Sequence, residues 1–171
     1  MYDLAVDFLD AITLAMETTP AGAPDASYIV LGEPAWASSC AQAVVQIGML
    51  GEGATSPSSP PEATGQRFER GRVNLVTLVG YAMRCQPILE GNGQNVQLPT
   101  TADLQAAAKK GYEDGWAIWN YITRLLRKDE LFEGPCSIDH FDGGTPFTPE
   151  AGLGGWKFVM RVELQGYDPT P

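Results

Sequence analysis

Hydrophobic positions recur along this chain with two periods, and the switches between them divide it into elements. Near the N-terminus Leu4, Phe8, Ile12 and Ala15 (or Met16) fall three or four residues apart, the spacing of one helix face. Asp3 is placed to cap that helix, and Pro20 and Pro24 end it after about Thr18. Tyr28-Ile-Val-Leu-Gly32 then predicts a short strand stopped by Pro34, and residues 41–50 predict a second strand. The longest extended run covers residues 72–85. Val73, Leu75, Thr77, Val79, Tyr81 and Met83 alternate on one face, and Val76, Leu78 and Ala82 make the other face apolar as well. Fully extended, this strand measures about 45 Å, well beyond an ordinary strand. A strand apolar on both faces is covered on both. A helix supplies one cover; the other is either the chain's own fold or a neighbouring subunit.

After a Gly/Asn-rich stretch, Pro99-Thr-Thr-Ala-Asp103 opens a helix reaching about Arg127. Its apolar stripe runs through Leu104, Ala108, Tyr112, Trp116, Trp119, Ile122 and Leu126, so the two tryptophans are expected in the core. Gly111 and Gly115 lie on it, and a mid-helix glycine costs about 1 kcal/mol against alanine, which implies close packing against a sheet. Glu113 and Asp114 read as solvent-facing. The run 152–155 reads as a Gly-rich turn into a last strand, 156–165, with Trp156, Phe158, Met160, Val162 and Leu164 inward. The order predicts one α+β domain over residues 1–171, an antiparallel or mixed sheet with long strands packed against two helices.

Between 51 and 66 the composition changes to Gly, Ser, Pro and Thr with no apolar residue larger than alanine, so this stretch reads as a long loop at a hairpin tip. Arg67, Phe68 and Arg70 follow at its exit and make it the leading interface candidate, a surface ordered by assembly; Arg72, Trp156 and Tyr167 are further interface candidates.

The formal charge of −10, from 21 acidic and 11 basic residues, argues against gripping nucleic-acid backbones, which takes clustered Lys and Arg. Met1 is followed by an acidic amphipathic segment without the basic and apolar regions of a secretory leader, and no stretch approaches the roughly 18 apolar residues of a membrane span. Synthesis and folding in a cytoplasm, without membrane contact, are the expectation. Cys40, Cys85 and Cys136 lack metal-ligand spacing. They read either as small buried hydrophobes or, for Cys40 and Cys85, as a pair across a hairpin of 41–49 with 72–85. Such a pair stays reduced in a cytoplasm and oxidises outside the cell.

Candidate chemistry is sparse. The one histidine, His140, stands between Asp139 and Asp142, a trio that suggests a metal or acid/base site but lacks a second histidine and is expected on the surface. The glycine clusters at 143–144 and 152–155 match neither a phosphate-binding loop nor a dinucleotide fingerprint. No enzyme activity and no cofactor are expected.

Several strings in order carry a resemblance. Cys40-Ala-Gln-Ala-Val-Val-Gln46, Tyr81-Ala-Met-Arg-Cys-Gln-Pro87, Pro99-Thr-Thr-Ala-Asp-Leu-Gln-Ala-Ala-Ala108 and Gly154-Gly155-Trp156 together resemble tail terminator proteins of long-tailed bacteriophages, of the actinobacteriophage kind, over residues 28–167. The resemblance implies a virion structural protein, assembled in the host cytoplasm. It forms a ring, by that likeness a homohexamer, on the head-proximal end of the tail tube. There it ends tube growth and offers the surface for the head's neck proteins, so its partners are copies of itself, the tube subunit and a head–tail stopper. DNA passes through the lumen without specific binding; six copies at −10 carry about −60, and whatever part of that lines the lumen would repel DNA. Three other readings stay open at this stage: a head–tail stopper or adaptor, the tail tube subunit itself, and a small-molecule or metal enzyme built on Asp139, His140 and Asp142.

Overall fold

The computed structural model describes residues 2–32, 36–52, 74–87, 98–134, 136–148 and 152–164. Helix α1 (Tyr2–Glu17) is followed by β1 (Ala26–Leu31), β2 (Ala41–Glu52) and β3 (Asn74–Cys85), then helix α2 (Thr101–Leu126), β4 (Cys136–Phe147) and β5 (Leu153–Leu164). The strands form one sheet in the order β1-β2-β3-β5-β4, with β1 parallel to β2 and every other neighbour antiparallel. Both helices pack on one face, giving an α+β fold with a mixed sheet.

Periodicity accounts for most of this. Leu4, Phe8, Ile12, Ala15 and Met16 are buried as their spacing predicts, though α1 begins at Tyr2 and Asp3 lies inside its first turn rather than capping it. Val76, Leu78 and Ala82 of β3 point to the helices, opposite Val162, Met160 and Trp156 of β5, with Phe158 buried on the same face across from Gly80. Each such large apolar side chain contributes about 1.5–3 kcal/mol on burial.

The second face of β3 is covered by the chain itself at one end. Tyr81 and Met83 lie buried with Val44 and Leu153, under Trp36 and Phe147. Trp36, Tyr81 and Phe147 form an aromatic trio with ring centroids 5.2–5.9 Å apart. Trp36 belongs to the connection that returns from β1 to the start of β2, a short path for parallel neighbours, which ordinarily take a crossover helix. Gln42 secures it. Fully buried, its amide donates to the carbonyls of Ala37 (2.7 Å) and Ser39 (2.8 Å), and its oxygen accepts from Ala37 N–H and the Tyr28 hydroxyl. All its polar capacity is thereby used, as burial demands. Farther along the same face Leu75, Thr77 and Val79 are only half-buried.

Three expectations need correction. Residues 136–147 form a strand that alternation did not reveal. Two register shifts against β5, at 138/140 and 142/145, break its period, and it stands at the sheet edge, where bulges, glycine and proline are tolerated. Residues 153–155 are already strand β5 rather than a turn, since their backbone pairs with residues 83–85 of β3. On α2, Asp114 is buried, at 2% exposure, and Leu104 (51%), Tyr112 (62%) and Trp116 (57%) are exposed.

Candidate functional site

The reason for that reversal on α2 is the helix's length. Thr19 at the end of α1 meets Asp114 midway along α2, so only the second half of α2 lies beside α1. The first half runs on past it, and residues 101–110 are exposed apart from Ala107. Leu104 shares the line of buried Ile122, five turns away, yet has no sheet beneath it. Trp116 fails for another reason: positions four apart advance about 40° around a helix, so the stripe Leu104, Ala108, Tyr112, Trp116 winds off the buried side.

A capping box starts this projecting half. Thr100 Oγ1 accepts from Asp103 N–H at 3.2 Å, and the Asp103 carboxylate accepts from Thr100 N–H at 3.1 Å. The hydrogen bonds from Thr100 hold the Asp103 carboxyl below its ordinary pKa.

Two polar ties fix the helix where it leaves the body. Asp114 takes a bidentate pair from Arg84 of β3, at 2.6 Å from Nε and 3.1 Å from Nη2, and a hydrogen bond from Thr19 Oγ1 at 2.8 Å. Arg84 also donates to the carbonyls of Gly22 (2.7 Å) and Ala21 (3.3 Å), so one guanidinium joins β3, α2 and the turn after α1. One helical turn earlier, the indole N–H of Trp156 donates to the Gly111 carbonyl at 2.6 Å. Gly115 is the packing glycine of the pair, because a Cβ there would lie 2.5 Å from the Trp156 ring, whereas one on Gly111 would meet nothing.

Beside these ties Tyr112, Gly115, Trp116, Trp119, Gly143 and Trp156 line an open cleft of about 220 Å³. Its back wall is stiff: Trp119 stacks on Phe141 at 5.3 Å, and Phe141 on Phe158 at 6.4 Å. Gly143 in the β4 bulge admits the Trp119 ring, which a Cβ would meet at 2.5 Å. The volume is below the roughly 300–1,000 Å³ of sites that enclose a small molecule. Among the described residues its lining is aromatic and glycine, with the Tyr112 phenol as the one titratable group, which suits packing contact.

Of the residues singled out from sequence, Trp156 forms a wall of this cleft, half-buried. Arg67, Phe68, Arg70, Arg72 and Tyr167, and the loop from residue 53 onward, lie outside the described residues. Cys40 and Cys85 are joined as a disulfide, directly across the paired ends of β2 and β3. Cys136 is free, and burial followed by the charge of Asp7 pushes its thiol pKa up. Asp139, His140 and Asp142 stand exposed on β4, and no group of three or more metal-ligating side chains gathers among the described residues. Sequence reading missed Gly143 and misassigned Tyr112 and Trp116; the drift of the four-residue stripe was the signal that could have exposed them. No protein-family model matches this chain, and no curated protein matches it either.

Proposed function

We propose that this chain is a structural virion protein that forms a ring on the head-proximal end of a long-tailed phage's tail tube, ends tube growth and offers the neck its attachment surface. The observation that carries the reading is the projecting half of α2. It exposes Leu104 and Tyr112, Trp116 stands exposed just past its base, and two polar ties, Arg84–Asp114 and Trp156–Gly111, anchor that base. Large exposed aromatic side chains on a fixed support belong to surfaces that meet other proteins. The sequence likeness to tail terminators supplies which assembly. A terminator must match an open tube end on one side and present a different surface on the other, because a contact that repeats head to tail otherwise propagates.

Electron microscopy of lysates from a phage lacking this gene tests it. Overlong tails without heads are expected. Tails of normal length beside DNA-filled heads would move the protein to the head side of the neck.

A further inference from the structure

The cleft at the base of the projecting helix has the chemistry of a site for an extended, proline-rich segment. Such a segment is already close to a left-handed extended helix when free, has no internal hydrogen bonds and packs its rings on aromatic faces. Here Tyr112, Trp116 and Trp119 supply the faces, and a stack of three rings keeps the wall in place before anything binds. Among the described residues neither the Trp116 indole N–H nor the Tyr112 hydroxyl has a protein partner, so both can bond the free carbonyls of an incoming chain.

The sequence holds such a segment. Residues 55–64 read Thr-Ser-Pro57-Ser-Ser-Pro60-Pro61-Glu62-Ala-Thr, with two prolines three apart followed by a third. Glu62 is the one charged residue between 53 and 66, and Lys109, which pairs loosely with Glu113 at 3.7 Å, stands nearly one turn before Tyr112 on α2. A proline helix seated along α2 thus brings opposite charges together.

Topology decides whose segment it is. It follows Glu52, whose partner in the sheet is Asn74, at one end of β3. The cleft lies at the level of Trp156 and Phe158, which pair with Ala82 and Gly80. That is six to eight residues along β3, about 20–26 Å at strand rise. Pro57 is five residues beyond Glu52 and reaches at most about 18 Å even fully extended. The chain's own Pro60 and Glu62, up to about 29 and 36 Å from Glu52, come within reach of its cleft, but its own Pro57 falls short, so all three prolines can be seated there only by the segment of another copy. We propose that the cleft receives residues 55–64 of a second copy, in a head-to-tail contact whose repetition closes the ring. This rests on the ring reading above.

The test uses the full chain with p-benzoylphenylalanine in place of Ser58, prepared as a mixture of ¹⁵N-labelled and unlabelled copies at millimolar concentration and irradiated. Crosslinks from position 58 to the α2 peptide bearing Tyr112 and Trp116, joining a heavy to a light partner, are expected. Crosslinks only between like labels, crosslinks elsewhere, or none would overturn the proposal. Trp116 is exposed, so Trp116→Ala leaves the core untouched, as a thermal melt will check. By sedimentation, Trp116→Ala and Pro57→Ala/Pro60→Ala should each weaken self-association at least tenfold, and together no more than the stronger alone. Additive losses, or none, would sink the contact. If Trp116→Ala instead abolishes binding to purified tail tubes while copies still associate, the cleft belongs to the tube subunit. The two readings fail separately. Overlong tails with rings indifferent to Trp116→Ala reject this contact alone; crosslinked copies with normal-length tails reject the terminator role alone.

Discussion

Asp7 shows how one residue carries the acidity of this chain. Burial, then the carboxylates of Glu133, Asp10 and Asp3, push its pKa above the ordinary 3.8, against a weaker opposing hydrogen bond from the Glu133 backbone. The folded chain therefore keeps this proton to higher pH than the unfolded chain does. Between 3.8 and the raised folded value the native state binds more protons, so stability falls as pH rises through that window and stays lowered above it. Asp7→Asn removes the effect. In urea titrations it should raise the midpoint at about pH 7 and lose that advantage at about pH 3. An equal gain at both values would mean that the charge of Asp7 is not the cause.

At the scale of elements, the Arg84–Asp114 pair decides how α2 sits on the sheet. Removing one partner of a buried, hydrogen-bonded pair strands the other charge, at a cost of about 3–5 kcal/mol. Asp114→Ala should lower stability by that order in chemical denaturation, and a change below about 1 kcal/mol would show that Arg84 finds its partners elsewhere. This element also shows what a sequence makes legible. The order of α1, β1, β2, β3, α2 and β5 followed from apolar runs and spacing: α1, β3, the second half of α2 and β5 bury regular faces, and β1 is a short apolar run between turn residues that stays partly exposed. Strand β4 escaped because two bulges and an edge position free it from regular alternation. Asp114 escaped because a buried charge is recognised by its partner, and Arg84 lies thirty residues away in sequence. The cleft was half legible: Trp156 stood out at a strand start, whereas Gly143 matters only through the Trp119 ring across from it.

For the whole molecule, the Cys40–Cys85 bond closes a sequence separation of 45 residues across the ends of the two central strands. Restricting the unfolded chain over a loop of that length is worth about 4 kcal/mol. Cys40→Ser/Cys85→Ser should unfold at lower denaturant than the oxidised protein, and dithiothreitol should bring the wild type to the variant's midpoint without moving the variant. Equal sensitivity of both to the reductant would place the effect outside this bond. The same end of the sheet holds the base of α2, and there the fold makes a lever. From Thr101 to Gly111 and Asp114 the helix extends about 15–20 Å from its fulcrum. A tilt of about 5° there would carry the tip roughly 1.5 Å. The Arg84 guanidinium is clamped to that fulcrum and to the turn after α1, so a load applied at Thr100 is shared among the central strand β3, the turn after α1 and, through the Trp156 indole, strand β5.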